Sequence, residues 1–295
     1  MTSPIAEAAT AKSEPVTAQS RQRSDPQLGK RIRAAVRSLR NGWLLVVVLV
    51  LWELYARANP TLFFPPVTAI AGQFRRDWLS TDVTQAFFSD HFWATVVPSM
   101  WRLIRAMLLA FVVGVVGGVL VARNSIIRGM YSPMIRFWLA TPKVVLLPVA
   151  LQVFGVSDSL NIFVIFFGTV WLIMIHTADG VGAVKESWLR SARSIHLSRW
   201  QLYSRVILPA AAPQIMAGIR ISIGVGLIMS IISEFYATTE GLGYEVLRAQ
   251  ERFRYLPMWS AFLLIAIIGL ILNLAAARLE RRVLRWQRRT GLGAL

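Results

Sequence analysis

The sequence predicts an all-α membrane protein of about six transmembrane helices. Hydrophobic residues make up 55% of its 295 positions and charged residues 16%, more apolar material than one soluble core of that size uses. Those residues fall in stretches approaching the ~20 needed to cross ~30 Å of hydrocarbon at ~1.5 Å per residue. The net charge of +17 would suit a nucleic-acid binder, but the basic residues cluster between the apolar stretches instead of lining one face of a soluble domain. That is the pattern of membrane topology, and it argues against nucleic acid as a partner. With no cysteine in the chain, a disulfide framework, a thiol nucleophile and a thiolate metal site are excluded.

Residues 1–40 open with MTSPIAEAATAKSEPVTAQSRQRSD, which is too polar and small to order itself. They close with Lys30, Arg31, Arg33, Arg37 and Arg40, so a disordered basic cytoplasmic tail is predicted. The apolar run WLLVVVLVLWELYA follows without a small-residue cleavage site and reads as a signal anchor. Residues 41–295 form the membrane domain, with spans expected at 41–58, 100–122, 135–154, 159–177, 213–233 and 257–278. The first is the shortest in apolar content and contains Glu53, so an interfacial helix is its alternative. Trp43, Trp52 and Tyr55 would be its interface anchors. In the second, Gly114 and Gly118 have the spacing that lets membrane helices approach closely.

If the N-terminus is cytoplasmic, twenty-one Lys and Arg from Arg21 onward lie in the segments on that side. Eight, including Arg102, Arg105, Arg248, Arg252 and Arg254, lie on the other. The positive-inside bias therefore places both termini of a multi-pass protein in the cytoplasm.

The segment at about 178–212 is too apolar for a linker and too polar to cross a bilayer. Trp188, Leu189, Ala192 and Ile195 recur at helical spacing, and Trp200, Tyr203, Val206 and Ile207 do so again after a break. Two short amphipathic helices are expected. Ser198 followed by Gln201 is a capping-box pattern that starts the second helix near Arg199. Pro209 should end that helix, because proline removes a donor and disfavours helical geometry at Leu208. Pro213 should open the fifth span.

This loop resembles the cytoplasmic signature loop of binding-protein-dependent ABC importer permeases. The matching positions are Arg190, Ser191 and Ala192, then His196, then Val206, Leu208 and Pro209. The resemblance continues upstream through RFWLATPKVVLLPVALQVFGVSDS and downstream through AAAPQIMAGIRISIG and SEFYATTEGLGYEV. It runs from about Phe64 to the basic C-terminus and is nearest to the sulfonate, taurine and nitrate branch.

The resemblance implies a type I ABC importer permease with a cytoplasmic coupling-helix loop, in a bacterial inner membrane. In such a protein Arg190, Ala192, Ile195, His196, Leu197, Ser198, Trp200, Val206, Leu208 and Pro209 would form the ATPase-coupling surface. The implied partners are a cytoplasmic ATP-binding subunit, an extracytoplasmic solute-binding protein, a second permease copy and membrane lipid. Two positions depart from the family pattern: Arg190 stands where an acidic residue is usual and His196 where glycine is usual. Histidine visits positive φ more readily than most residues, so the turn should survive, and Glu186 is a candidate to supply the missing negative charge.

Lys143, Arg220 and Glu234 fall in or at the ends of predicted spans, where ionisable groups are costly and often functional; they are the candidate substrate path for an anionic solute. For Arg220 the bland reading is snorkelling to the interface, and for Glu234 with Gly241 and Gly243 it is a tight turn. GVGAVKES lacks the glycine a phosphate loop needs before its lysine, so ATP hydrolysis is assigned to another chain. His91, His176 and His196 are too scattered for a metal site, and no catalytic or cofactor site is expected. An ion-driven secondary carrier is the alternative function, although the inverted repeats it predicts are not visible in the sequence.

Overall fold

The computed structural model describes residues 43–80 and 87–286, which are helical almost throughout. The tail expected at 1–40 lies outside the described residues. The chain divides into two compact units, with the boundary between Trp52 and Glu53. The first helix, α1, covers 43–58; its residues 43–51 are all exposed and entirely apolar.

Glu53, the charge that weakens the first predicted span, has a local role. Its carboxylate accepts from the Thr68 amide (3.1 Å) and the Thr68 hydroxyl (2.7 Å). It thereby caps the start of α2, Val67–Trp78, where a negative group meets unsatisfied amides. Trp78 ends α2 fully buried and donates to Ser260 Oγ at 2.8 Å.

Three long helices form the centre: α3 (Asp90–Arg123), α6 (Asp158–Gly182) and α9 (Leu208–Tyr236). The start of α3 lies ten residues before the predicted span. Ser89 caps it by accepting from the Phe92 amide, and the helix continues through Pro98. At 34 residues it is about 51 Å long, so it outruns the bilayer. The expected close approach holds for Gly118, where a β-carbon would sit 2.6 Å from the Met174 carbonyl oxygen of α6.

The third predicted span, 135–154, is not one helix. Helix α4, Ser125–Ala140, stops at Thr141; a single 3₁₀ turn at Lys143–Val145 then leads into α5, Leu146–Phe154. The two halves meet at 89°. Pro142 is the cause: it withholds a donor and holds Thr141 extended, at φ −71° and ψ 131°. Among the described residues, four helices are therefore long and apolar enough to span a membrane, or five if the bent pair counts as one.

After α6 come α7, Glu186–Ser194, and α8, Arg199–Leu202. Helix α10, Leu242–Glu251, then fills the gap between α9 and α11, Tyr255–Val283. The helix expected to stop before Pro209 does not stop. A π-helical stretch, Tyr203–Ile207, joins α8 to α9, giving one 38-residue helix from Arg199 to Tyr236. In this wider turn the Leu208 amide reaches back to the Tyr203 carbonyl, which gives the Pro209 ring room against the preceding turn. Pro213 lies inside α9 and does not open it.

Candidate functional site: an exposed turn and a buried ionic hub

The α7–α8 turn is locked from both sides. At the end of α7, His196 takes φ 54°, the left-handed conformation expected of it. Its amide bonds to the Arg193 carbonyl (3.0 Å), while the Leu197 amide bonds to that of Ala192 (3.2 Å). This is a Schellman motif with histidine in glycine's usual place. One residue later, Ser198 Oγ accepts from the Gln201 amide and the Gln201 side chain accepts from the Ser198 amide, closing the capping box.

This locked turn divides the predicted apolar stripe. Leu189 is buried against Ala122 of α3, Val181 of α6 and Ile207, Ala211 and Ile215 of the long helix, and Ala192 is buried as well. Ile195 (69% exposed), Trp200 (80%) and half of Trp188 remain outside. Arg190 is exposed on α7; Leu197, Val206, Leu208 and Pro209 are half-buried where the turn meets the bundle. Glu186, one turn before Arg190 on α7, pairs with Arg193 at 3.7 Å.

At the other end of the long helix lies a cluster centred on Arg102 of α3, which is 3% exposed. Its Nε donates to Asp158 Oδ1 (2.6 Å) in the first turn of α6. Nη1 donates to Glu234 Oε1 (3.3 Å) and to the Glu240 carbonyl (3.1 Å), and Nη2 to Glu240 Oε1 (3.1 Å). Glu234 is completely buried, and its Oε2 accepts from Ser99 Oγ and from the Gly243 amide, both at 2.9 Å. Ser99 in turn accepts from the Leu242 amide. Taking two charges out of water costs several kcal/mol per ion unless geometry and hydrogen bonds compensate. Here the guanidinium meets three carboxylates and the buried carboxylate has three donors. The chain can pass this close because Gly241 adopts φ 117°; a β-carbon there would lie 2.8 Å from Glu234 Cδ. One arginine thus ties α3, α6, α9 and the α9–α10 turn together.

Residues 110–285 match the family model described as binding-protein-dependent transport system inner membrane component. The chain belongs to that family. The permease is 29% identical over 244 residues to the taurine transport system permease protein TauC of Escherichia coli K12, covering 82% of this chain and 87% of that one. It is 28% identical over 240 residues to the bicarbonate transport system permease protein CmpB of Synechococcus elongatus, covering 80% and 86%. In structure it resembles an inward-facing form of the MetNI methionine ABC transporter, with a TM-score of 0.58 at 18% identity over 64% of this chain and 94% of that one. The fold is that of a type I ABC importer permease, and the permease is an inner membrane component of such a system.

Within the permease the three candidate path residues are not brought together. Lys143 lies at the bend between α4 and α5, its Nζ donating to the Leu139 carbonyl at 2.7 Å. Arg220 reaches from α9 towards Asn273 (3.3 Å) and towards Glu280 (3.6 Å) in the last turns of α11. Glu234 belongs to the hub. A groove of about 720 Å³ between α3, α6, α9 and α11 is lined by residues such as Leu103, Met107, Phe111, Ile215 and Leu272. It offers no charged or hydrogen-bonding side chain to an anionic solute.

Sequence reasoning overlooked Arg102, Asp158, Ser99 and Glu240 as partners, counting Arg102 among the charges outside the membrane. The signal was available: an arginine inside one apolar stretch and a glutamate inside another need each other.

Proposed function

We propose that this permease is the membrane subunit of an ATP-driven importer, coupled through the α7–α8 turn to a separate cytoplasmic ATP-binding subunit that hydrolyses the ATP. The observation that carries this is the unbroken helix from Arg199 to Tyr236. Its first turn forms part of the exposed docking knob, its last reaches the hub, and in between it is a spanning helix. A push on Trp200 or Ile195 is therefore delivered to the far end of the bundle without a hinge at Pro209. On this reading the α7–α8 end and both termini face the cytoplasm, in keeping with the excess of Lys and Arg there. The hub end faces an extracytoplasmic solute-binding protein, and two copies of the chain enclose the pathway as a homodimer.

The cargo in this proposal is a small anion of the sulfonate, nitrate or taurine type. Taurine and bicarbonate are named for the relatives, and Lys143 sits where a span is broken in two. Broken spans place cations and freed backbone groups within the membrane, where they meet substrate.

The test is reconstitution with the ATP-binding subunit and the solute-binding protein of the same transporter. Cargo-loaded binding protein should stimulate ATP hydrolysis, and Ile195→Asp should abolish the stimulation. Lys143→Ala should reduce anion uptake while leaving the ATP-binding subunit bound. A permease that neither binds nor stimulates the ATP-binding subunit, yet transports along an ion gradient, would replace this reading with a secondary carrier.

A further inference from the structure

Accepting the α7–α8 turn as the coupling surface, we infer that the cleft receiving it on the ATP-binding subunit is apolar at its floor and acidic at its rim. The floor follows from Ile195, Trp200 and Trp188, large apolar side chains left exposed on α7, the locked turn and α8. Aromatic and large aliphatic side chains held rigidly in water are what fill a partner's pocket.

The rim follows from the charges. Residues 183–207 contain five basic side chains, Lys185, Arg190, Arg193, Arg199 and Arg205, against one acid, Glu186. All six are exposed. Glu186 is spent on Arg193, and the other four cations have no ion pair among the described residues. An approaching surface of the same sign would be repelled, and a neutral one would have to desolvate guanidinium groups without replacing their partners. An acidic rim removes both penalties. Because Arg190 lies one helical turn from Ser194 and Ile195, on the exposed side of α7, its counter-charge belongs close to the pocket for Ile195.

A basic, tryptophan-bearing turn can also lie on anionic lipid. The packing favours the protein cleft, because Leu189 of α7 is already packed against the bundle and Ala192 beside it is buried. What remains outside is a small convex tip rather than a long apolar stripe.

The test uses the whole permease in nanodiscs and the ATP-binding subunit of its own transporter. Binding of the wild type should weaken steeply as salt rises from about 50 to about 300 mM, since rim charges set salt dependence. Arg190→Glu should lower affinity at least about tenfold and flatten that dependence; Arg190→Lys should retain most of it. An acid-to-arginine exchange on the cleft rim should restore the Arg190→Glu protein. Because the chain has no cysteine, a fluorophore on an Ile195→Cys protein reports the environment of the tip alone, and its emission should shift when the ATP-binding subunit is added.

Wild-type binding that ignores salt and survives Arg190→Glu, while Ile195→Asp still abolishes it, would overturn the acidic rim and leave the coupling surface standing. Binding unaffected by either change would overturn both. An emission shift on adding phosphatidylglycerol to phosphatidylcholine nanodiscs, with none on adding the subunit, would overturn the cleft in favour of a lipid surface.

Discussion

The two ends of the Arg199–Tyr236 helix treat charge in opposite ways. At the Tyr236 end, Arg102 and Glu234 are buried and matched to partners from four segments. At the Arg199 end, four of five cations stand in water with no ion pair among the described residues. A buried charge with all its hydrogen bonds made inside the chain holds that chain's own shape. An exposed excess of one sign beside protruding tryptophans does nothing for the monomer and is legible only against a partner. Mutations at the two ends should therefore separate stability from coupling.

The largest effect on stability should come from Arg102→Leu. It leaves the carboxylate of Glu234 buried without its cation, a loss of about 3–5 kcal/mol for a broken buried pair. Denaturant or thermal unfolding of the detergent-solubilised protein reads it directly. Replacing Glu234 by leucine as well should recover much of that loss, because an apolar pair of similar volume often replaces a buried ion pair at little cost. An Arg102→Leu protein as stable as wild type would remove the contrast between the ends.

Next is Gly241→Ala. Alanine at φ 117° is strained wherever it occurs, by about 1–3 kcal/mol, and here its methyl group would also press on Glu234 and Ser99. The same unfolding measurement applies. The change should weaken the hub without altering any of its charges, so a loss comparable to that of Arg102→Leu would show that positioning of the α9–α10 turn matters as much as the ion pair.

How much of this was legible in the sequence depends on the range of the cause. The capping box at Ser198 and Gln201, the left-handed His196 and the close approach at Gly118 are set by near neighbours or by one packing contact, and they stood in the sequence. The 89° bend is half visible: Pro142 stands in the middle of RFWLATPKVVLLPVALQVFGVSDS, yet the apolar run on both sides of it suggests one span. Pro209 misled in the other direction. A proline ends a helix when nothing relieves its clash, and the π-helical turn at Tyr203–Ile207 relieves it. The hub joins residues more than a hundred positions apart, such as Arg102 and Glu234, so neither periodicity nor spacing could pair them. Glu234 was singled out because it is an acid at the end of a span; its partners were missed because each was assessed within its own segment.

Ser198→Ala should have a smaller and more local effect. It removes one side of the capping box, typically worth about 1 kcal/mol. That loss should appear as faster amide exchange at Trp200 and Gln201, with little change in the unfolding of the hub. Exchange that accelerates along the whole of α9 instead would mean that the turn and the spanning helix melt as one unit, and that the long helix is a more rigid lever than its π-helical stretch suggests.

Trp200→Ala should have the smallest effect on stability and the clearest on function. The side chain is 80% exposed, and substitutions at sites like this usually fall within about 0.5 kcal/mol, so the unfolding curve should be unchanged. Stimulation of ATP hydrolysis by cargo-loaded binding protein should nevertheless fall sharply, since a protruding aromatic at the centre of a contact carries a large share of its energy. Because Arg102→Leu is expected to shift the unfolding curve first, the pair forms a direct test of the division of labour. If Trp200→Ala instead destabilises the protein by as much as a hub mutation, the exposed tryptophan is holding the monomer together, and the Arg199 end is a second structural anchor in place of a docking surface.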